Sequence, residues 1–531
     1  MTHTLPQDRS YPLRRVPLLA RNVVATSQPL AAQAGLRMLL NGGNAIDADL
    51  AAAIALTVVE PTGNGLGSDA FAIVWDGTQL HGLNASGRSP ADWNPERFSG
   101  RTAMPVRGWE SVTVPGAVSA WTSLSQRFGR LPFRDLFTPA IEYARGGFPL
   151  SPTIASLWRS GAKVLIDEPG FRDAFTPSGR APAAGETIVN APLARSLEAI
   201  ARSDGDAFYR GELAERIVAF AKLHGAALSL DDLASHESDW CGTLSTRFRN
   251  LHLHEIPPNG QGIAALMALG ILEHTEIDTL DPDSAAGIHL QLEAMKLALA
   301  DVERYVAELS SMQIPPSSLL DPDYLRRRAA LIDRTHAGDP GAGAPTTGGT
   351  VYVSAADANG MMVSFIQSNY AGFGSGVVVP DTGIHLQNRG YGFTLEPGHP
   401  NQVGPRKRPF HTIIPGFVME NGAPSMSFGV MGGPMQAQGH VQLVLRMQLF
   451  GQNPQTASDA PRWRFISGRR VAVEWGMSDT VVAALTAFGH EVTREPQDNN
   501  FGFGGAQIIQ RRGDGYAAGS DHRKDGAAVG F

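Results

Sequence analysis

Cysteine is nearly missing from this chain of 531 residues, which contains only Cys241. One cysteine excludes an internal disulfide and any zinc site built from several cysteines. A lone cysteine is more often a small buried apolar residue than a nucleophile, and we interpret Cys241 in that way. The chemistry of the protein is therefore expected to depend on other residues.

Long apolar runs are missing as well. No segment reaches the roughly 18 apolar residues of a membrane span. The first part of the chain lacks the uninterrupted apolar stretch of about 7 or more residues found in secretory signals. These observations predict a cytoplasmic protein with no membrane contact.

Charge of one sign is not concentrated anywhere except at the short basic run 406–408, and the formal net charge is -7. This distribution argues against a nucleic-acid partner and favours a small-molecule substrate. Hydrophobic residues make up 43% of the chain and charged residues 18%. That composition predicts a folded globule, and the length allows several domains or one large layered α/β body.

Apolar periodicity predicts helices at 30–40 and 45–59 and a mainly helical middle region at 131–305. The glycine-rich stretch 62–68 could suggest a phosphate loop, but it lacks the required glycine spacing and follows a helix. We interpret it as a tight turn beneath an active site.

A metal site could be drawn at His252 and His254, because residues two apart share one face of a strand, with Glu255 nearby. No third ligand accompanies them at a sensible spacing. A polar strand face is the better interpretation, and no metal or other cofactor is expected.

One low-complexity stretch, AGDPGAGAPTTGG at 337–349, reads as a mobile linker. It changes abruptly at Thr350 into a strand pattern. A second strand is predicted at 361–368, and the Asn359-Gly360 pair between the two strands is a strong hairpin signal. With a two-residue turn, Thr350 lies opposite Asn369 and beside Ser368 and Tyr370.

A threonine hydroxyl needs a base before it can act as a nucleophile. The α-amine of the same residue can serve, because its pKa of about 7.7 to 8.0 lies near working pH. That amine becomes free at Thr350 only if the chain is cut after Gly349, where glycine tolerates unusual backbone conformations. The alternative is a plain linker followed by an ordinary strand.

Ordered motifs along nearly the whole chain decide between these two interpretations. The sequence resembles the γ-glutamyltransferase family of N-terminal-nucleophile hydrolases, including its glutaryl-acylase relatives. The motifs that carry the resemblance are VVATSQPLAAQAGLRMLLNGGNAIDADLAAAIALTVVEP (23–61), VPGAVSAWTSLSQRFGRLPF (114–133), EAMKLALADVERY (293–305), TVYVSAADANG (350–360), GPRKRP (404–409) and GSDHRKDGAAVGF (519–531).

The resemblance implies a role for each matching position. Thr350 matches the nucleophile, and cleavage would fall between Gly349 and Thr350. Gly432 and Gly433 match a glycine pair whose N–H groups form the oxyanion hole. Ser368 matches the hydroxyl residue that supports the nucleophile.

The fold implied by the resemblance is a four-layer αββα sandwich of the α/β class. Residues 1–349 and 350–531 would form the large and small chains, intertwined after self-cleavage as one globular heterodimer. Whether two such units pair is left open.

A departure from the family pattern indicates which kind of acyl group the substrate carries. Members that act on γ-glutamyl compounds bind the cationic amino group with an acidic residue, and that position falls on Gly392. A neutral amide position nearby is occupied by Arg389. Losing an acid and gaining an arginine would repel a cation and attract an anion, so a glutaryl-like or other carboxylate-bearing acyl group is expected. The candidate substrate-binding residues are Arg88, Asn369, Tyr370, Arg389, His411 and Thr412.

Three alternatives stay open at this stage. The first is a γ-glutamyl hydrolase or transferase acting on glutathione-like peptides. The second is an amidase for a small acid amide such as oxamate, and the third is an unprocessed homologue that binds without chemistry.

Overall fold

The structure is a computed structural model that describes residue 11 and residues 15–341, 349–497, 499 and 502–531. Within these ranges two seven-stranded antiparallel sheets form the centre of the molecule. The first sheet contains, in spatial order, β1 (Leu18–Ala20), β18 (Gly515–Ser520), β17 (Gly505–Arg512), β13 (Ala423–Met431), β12 (Gly416–Glu420), β9 (Leu251–Glu255) and β8 (Leu244–Phe248). The second contains β19 (Ala527–Gly530), β2 (Val23–Thr26), β10 (Gly349–Ala356), β11 (Met362–Tyr370), β3 (Asp69–Trp75), β4 (Leu80–Asn84) and β7 (Asp239–Trp240).

Short strands form two smaller sheets at the periphery: β5 (Phe148–Pro149) with β6 (Thr187–Ile188), and β14 (Trp463–Ser467) with β15 (Arg470–Val473) and β16 (Glu491–Arg494). The helices are α1 (Pro29–Leu40), α2 (Ala45–Val59), α3 (Ala117–Phe128), α4 (Thr138–Gly146), α5 (Pro152–Leu165), α6 (Phe171–Phe175), α7 (Ala191–Arg202), α8 (Asp206–Tyr209), α9 (Glu212–Leu223), α10 (Leu230–Ala234), α11 (Gly262–Leu272), α12 (Ala285–Tyr305), α13 (Pro316–Leu319), α14 (Pro322–Ala329), α15 (Met435–Val444), α16 (Pro454–Asp459) and α17 (Asp479–Ala487). None of the helices in the described ranges combines the length and apolar character needed to cross a membrane.

Three apolar cores separate four layers. The core between the two sheets contains Phe71 and Tyr352 from one sheet and Phe417 and Ile509 from the other. A second core lies between α1 to α5 and the outer face of the second sheet. A third lies between α11, α12 and α15 and the outer face of the first sheet. The layers therefore follow the order helix, sheet, sheet, helix, which confirms the αββα sandwich implied by the sequence resemblance.

Both sheets mix strands from either side of the Gly349–Thr350 bond. In the second sheet, β10 lies between β2, which precedes the bond, and β11, which follows it. In the first sheet, β12 pairs with β9, and β18 pairs with β1. A cut at this bond would therefore leave two chains that share both sheets and all three cores.

The helix α2 has the bounds that the periodicity predicted. Asn44 caps it by accepting a hydrogen bond from Asp47 N–H at 3.1 Å, and the Asp47 side chain accepts from Asn44 N–H at 2.9 Å. Every residue of α2 is buried, because α2 packs between β10 and helices α1 and α4. The helical middle region is also found, although it includes the strands β5 to β9.

Candidate active site

The hairpin between β10 and β11 has a longer turn than the sequence predicted. Asp357 O accepts a hydrogen bond from Gly360 N–H at 3.0 Å, and Gly360 has a left-handed φ of 92°. This is a three-residue loop, in which a type I turn is followed by a left-handed glycine. The predicted two-residue turn at Asn359 and Gly360 is wrong, and most of the ladder is shifted by one residue, with Ala356 opposite Met362.

A β-bulge brings Thr350 back to its predicted neighbours. Gly349 stands opposite Tyr370, and between this pair and the next β11 has two residues, Ser368 and Asn369, where β10 has only Thr350. Thr350 therefore faces both Ser368 and Asn369. Its side chain is buried, with 1% of the residue surface exposed.

The Ser368 hydroxyl connects Thr350 to the carbonyl of the preceding peptide bond. Thr350 Oγ1 donates to Ser368 Oγ at 3.1 Å, and Ser368 Oγ donates to Gly349 O at 2.5 Å. Tyr370 N–H donates to the same Ser368 oxygen at 2.8 Å. The serine hydroxyl thus has one fixed donor direction, which points at the Gly349 carbonyl.

Gly349 lies where the backbone of two other segments approaches closely. A Cβ atom at this position would lie 3.1 Å from Thr62 O and 3.2 Å from Gly372 N. This close backbone approach is a reason for glycine at position 349.

The glycine-rich loop 62–68 lies directly against the junction, as the sequence predicted. Asn369 N–H donates to Gly63 O at 3.1 Å, and Ser68 Oγ donates to Asn369 Oδ1 at 2.8 Å. A Cβ atom on Gly63 would lie 3.3 Å from Thr350 O. The loop thus fixes the Asn369 side chain, whose Nδ2 is buried without a hydrogen-bond partner among the described residues.

Gly432 and Gly433 form the turn between β13 and α15, with φ angles of 138° and 59°. Among the described residues, neither N–H group has a hydrogen-bond acceptor. The Gln261 side chain holds the turn, because its Nε2 donates to Gly433 O at 2.9 Å and also to Thr412 O. A buried side-chain amide therefore holds the carbonyl group at the end of this glycine pair.

A cavity of about 380 Å³ opens beside the junction. Tyr370, which pairs with Gly349 across the ladder, lines the cavity. The other polar residues at this end are Gln261, Arg389 and Thr412. The volume lies within the range of about 300 to 1,000 Å³ that is typical of small-molecule sites.

Arg389 is the main charged group of this polar end. It lies in a 3₁₀ turn with 1% of its surface exposed. Its Nη1 donates to Thr412 Oγ1 at 3.0 Å, and the guanidinium lies 4.8 Å from the centre of the Tyr370 ring. Burial lowers the pKa of Arg389 to about 10, although Asp69 and Tyr370 oppose the shift. The group therefore stays charged at neutral pH.

The free edge of Arg389 has a specific shape. Its Nε and Nη2 atoms are buried without hydrogen-bond partners among the described residues. These two N–H groups form the side-on fork with which arginine binds a carboxylate through two parallel hydrogen bonds. Leaving them unpaired in a protein interior is costly, which points to a ligand that supplies the missing acceptors.

His411 is turned away from the cavity and towards Asp69. The two side chains are 3.2 Å apart at His411 Nε2 and Asp69 Oδ2, while Asp69 Oδ1 accepts from Gly87 and Gly116 N–H groups. Burial raises the pKa of Asp69 to about 7, against the opposing charge of Arg389. Burial also lowers the pKa of His411 well below its usual value. Both pKa shifts agree with a neutral His411 imidazole whose Nε2–H group donates to the Asp69 carboxylate.

Arg88 is also engaged elsewhere. It forms an ion pair with Glu308 and donates to Arg406 O at 3.1 Å, and 43% of its side-chain surface is exposed. It is absent from the described residues that line the cavity. Of the six predicted substrate-binding residues, the structure places Tyr370, Arg389 and Thr412 in the cavity wall.

Sequence reasoning missed two buried residues of the site. Gln261 holds the glycine turn, and Asp69 lies opposite Ser368 in the ladder between β3 and β11. No spacing signal marks Gln261, because its partners are backbone carbonyls far along the chain. Asp69 could have been noticed as an acidic residue at the start of an apolar strand.

The remaining candidates do not form a second site. His254 Nδ1 lies 3.0 Å from Thr243 Oγ1, and Glu255 points to the opposite face, where it contacts His440 Nδ1 at 2.6 Å. This agrees with a polar strand face at His252 and His254. Burial raises the pKa of the Cys241 thiol to about 11, which opposes the formation of a reactive thiolate.

His289, Glu293 and His490 are a buried group with metal-ligand types, with atoms within 4.8 Å of one another. Their potential ligand atoms already have protein partners, except for His490 Nδ1, which has none among the described residues. His289 Nδ1 and His490 Nε2 are 2.8 Å apart, and Lys296 Nζ lies 2.7 Å from Glu293 Oε1. The lysine ammonium thus occupies the position beside the Glu293 carboxylate that a metal cation would need. We interpret the three residues as a buried hydrogen-bonded cluster with a structural role.

Comparison with known proteins gives one consistent result. The family profile for Gamma-glutamyltranspeptidase matches residues 31–531. A glutathione hydrolase-like YwrD proenzyme of Bacillus subtilis is 36% identical over 96% of this chain and 98% of its own length. An oxamate amidohydrolase proenzyme of Klebsiella pneumoniae is 35% identical over 94% and 97%. The crystal structure of a cephalosporin acylase from Bacillus halodurans superposes with a TM-score of 0.93 at 46% identity, covering 99% of both chains. With this sandwich and these full-length matches, the chain belongs to the γ-glutamyltranspeptidase family.

Proposed function

We propose that this protein is an amide hydrolase and acyltransferase that cuts its own chain between Gly349 and Thr350 and then uses the freed threonine as nucleophile. The observation that carries the proposal is the hydrogen-bonded path from the Thr350 hydroxyl through Ser368 to the Gly349 carbonyl. It joins the attacking oxygen to the bond that would be cut. The relatives from Bacillus subtilis and Klebsiella pneumoniae are both named as proenzymes, which supports processing.

Self-cleavage starts when Thr350 Oγ1 adds to the carbonyl carbon of Gly349. The hydroxyl proton is transferred to the amide nitrogen of Thr350, the C–N bond breaks, and an ester joins Gly349 to the threonine side chain. Water then hydrolyses the ester, which leaves a carboxylate on Gly349 and a free α-amine on Thr350. The hydrogen bond from Ser368 to the carbonyl oxygen stabilises the negative charge that develops there.

The freed amine then serves as the base for each catalytic cycle. It accepts the Thr350 hydroxyl proton as Oγ1 attacks the amide carbonyl of the substrate, and it returns a proton to the departing amine. Water resolves the acyl-threonine ester in hydrolysis, and a second amine resolves it in transfer. Beyond the two cleaved chains, this cycle needs the small-molecule amide and either water or a second amine.

Gly432 and Gly433 are proposed to bind the oxyanion. Two N–H groups that have no acceptor in the described part of the protein suit this role, because donors that are fixed before the reaction do not have to reorient as charge develops. Gln261 fixes the turn through Gly433 O. The same amide binds Thr412 O, and so it links the oxyanion site to the wall of the acyl pocket.

The acyl group is proposed to carry a carboxylate that binds the free Nε and Nη2 edge of Arg389. A glutaryl-like chain fits, because it separates a carboxylate from the scissile carbonyl by a short apolar spacer. Position 392 has no room for the acidic residue that binds a γ-glutamyl amine, since a Cβ atom there would lie 2.4 Å from Phe410 O. A γ-glutamyl substrate would also bring its cationic amine towards Arg389.

The other predicted binding residues receive more limited roles. Tyr370 and Thr412 are proposed to orient the Arg389 guanidinium, which both contact. Asn369, which faces Thr350 across the β-bulge, is proposed to help position the nucleophile. His411 is proposed to hold the backbone next to Thr412 by accepting a hydrogen bond from Ile413 N–H. Arg88 has no proposed contact with the acyl group.

The two products of cleavage, 1–349 and 350–531, are proposed to remain together as a heterodimer. Their shared sheets and cores would have to unfold before the chains could separate. A denaturing gel tests the processing. Purified protein should give two bands of about two-thirds and one-third of the chain, and the first residue of the smaller band should be Thr350.

Two variants complete this experiment. Thr350→Ala should remain one band without amidase activity, and Thr350→Ser should still be cut, because it keeps a hydroxyl. A fully active preparation that consists of one unbroken chain would overturn the proposed function.

The acyl preference is tested separately with glutaryl and γ-glutamyl p-nitroanilides, which release the same amine. The ratio of kcat/KM for the two substrates should favour the glutaryl compound. A strong preference for the γ-glutamyl compound would reject the role given to Arg389 while leaving the role of Thr350 intact.

A further inference from the structure

The cavity beside Thr350 continues outward beyond its polar end, which is formed by Gln261, Tyr370, Arg389 and Thr412. Its middle section is walled by apolar side chains from α12, from the loop after the Arg389 turn and from the segment near residue 104. These residues are Met104, Leu299, Val302, Val306, Phe393 and Leu395. Five of the six are buried, and Leu395 is half-buried.

The mouth of the cavity is acidic. Glu303 from α12 and Glu396 from the opposite loop both line it and are both exposed. Partial burial raises the pKa of Glu303, His399 opposes this shift, and the nearby charge of Glu396 adds to it. Lys407 directs its ammonium to Pro400 O and Gln402 O. Among the described lining residues, Arg389 is the only lysine or arginine.

The two ends of the cavity therefore carry opposite charges. Arg389 lies at the inner end, where it is almost fully buried and its Nε and Nη2 atoms have no hydrogen-bond partner among the described residues. The carboxylates of Glu303 and Glu396 lie at the outer end. A substrate whose acyl carboxylate is held by Arg389 has its scissile carbonyl near the threonine. The departing amine must then extend through the apolar section towards the mouth.

We infer that the leaving amine of the preferred substrate is an apolar, ring-sized group that carries a positive charge at its far end. This inference rests on the proposed function, because it takes Arg389 as the acyl end of the cavity. Carboxylate-bearing leaving groups, such as the carboxyl end of a peptide, are disfavoured by Glu303 and Glu396. An amine of the favoured class also serves best as acceptor in transfer.

Three glutaryl amides test the inference. Their leaving amines are 4-aminobenzamidine, 4-aminobenzamide and 4-aminobenzoate, which have one ring and a positive, neutral or negative para group. For the processed wild-type enzyme at low salt, kcat/KM should decrease in that order. The cationic substrate should exceed the anionic one by about three- to tenfold, the range expected for two partly solvated charges.

Differences in intrinsic reactivity among the three amides cancel when the same ratio is measured in variants. Glu303→Gln with Glu396→Gln should reduce the cation-to-anion ratio towards that of the non-enzymatic reaction, and about 0.5 M salt should reduce the wild-type ratio in the same direction. Glu212→Gln with Glu215→Gln changes the net charge equally on exposed parts of α9. This control should keep the wild-type ratio.

An unchanged ratio in the Glu303 and Glu396 double variant, or an anionic substrate that is cleaved fastest, overturns the inference. The same three amines are also coupled to a γ-glutamyl group, so that the ratio can be measured if the acyl preference is different. If no amide of either series is cleaved by a fully processed preparation, the proposed function fails and the inference fails with it.

Discussion

Ser368 Oγ lies 3.1 Å from the Thr350 hydroxyl and 2.5 Å from the carbonyl oxygen that precedes Thr350. One side chain therefore contacts both the attacking group and the group that it would attack. This relationship depends on the β-bulge, because a regular ladder would not place two residues of β11 against one residue of β10. The bulge is thus the structural feature that makes self-cleavage at this bond chemically reasonable.

Ser368→Ala is expected to slow self-cleavage by roughly 10²- to 10³-fold, the usual cost of losing one hydrogen-bond donor to a developing oxyanion. The fraction of uncut chain is followed with time on a denaturing gel after fresh synthesis. Ser368→Thr keeps the hydroxyl and should process at a rate closer to wild type. Equal processing rates for the alanine variant and wild type would contradict the role of Ser368.

Gly349→Ala is expected to reduce self-cleavage because the added methyl group would press on Thr62 O and Gly372 N. The backbone must shift by a few tenths of an ångström to accept it, which disturbs the alignment of the carbonyl with Thr350. Gly360→Ala in the hairpin loop is the matched comparison. It should lower stability through its left-handed φ while leaving the junction geometry unchanged. Normal processing of Gly349→Ala together with a slow Gly360→Ala would argue against this account.

Local patterns predicted the elements that depend on local interactions. The bounds of α2 were predictable because apolar periodicity, the Asn44 cap and a terminating proline all agree. The hairpin turn was not, because Asp357 accepts hydrogen bonds from Asn359 N–H and from Ala45 N–H on a distant helix. This tertiary contact favours the longer loop over the two-residue turn that Asn-Gly usually forms.

In the candidate active site, too, residues marked by a local sequence change could be predicted, whereas residues that act through tertiary contacts could not. Arg389 could be identified from the sequence because it changes the charge at one position of a recognisable segment. The role of Gln261 could not be identified, since its side chain binds two carbonyl groups that are brought near only by the folded sheets. His411 and Arg88 were proposed from the family resemblance, but the buried Asp69 contacts His411 and the half-buried Glu308 pairs with Arg88.

Arg389→Gln is expected to lower kcat/KM for a glutaryl anilide by roughly 10- to 150-fold, which corresponds to about 1.5 to 3 kcal/mol for charge-assisted hydrogen bonds. Because the interaction is with the acyl carboxylate, hydrolysis of an acyl anilide without a carboxylate should change much less. Arg88→Gln removes a cation outside the cavity wall and serves as the control. A similar loss for substrates with and without the carboxylate would show that Arg389 acts structurally.

Gln261→Met is expected to lower kcat more than it raises KM, since the side chain keeps its length but cannot donate to Gly433 O and Thr412 O. The glycine turn would then be free to rotate its N–H groups away from the oxyanion, with a loss of roughly tenfold or more in kcat. Steady-state kinetics on the processed enzyme separate the two parameters. A change confined to KM would place Gln261 in ground-state binding instead.

Asp49 provides a prediction about pH and stability. It lies within α2 with 0% exposure, and both carboxylate oxygens have no hydrogen-bond partner in the described part of the chain. Burial raises its pKa well above the ordinary value. Below about pH 4 the group is protonated in both the folded and the unfolded chain. As the pH rises from there towards the folded-state pKa, only the unfolded chain releases the proton, so stability falls.

Asp49→Asn keeps the shape of the side chain and removes the titration. In an uncut Thr350→Ala background, the free energy of unfolding from denaturant titrations at pH 5, 6 and 7 should fall less steeply in the Asn variant. The difference in slope should approach about 1.4 kcal/mol per pH unit, the value for one proton. Glu60 and Asp69, whose pKa values burial raises to about 7, contribute equally to both proteins and therefore cancel. Asp206→Asn on the surface should keep the parent slope. Parallel curves for Asp49→Asn and its parent would mean that Asp49 has the same pKa in the folded and unfolded chains.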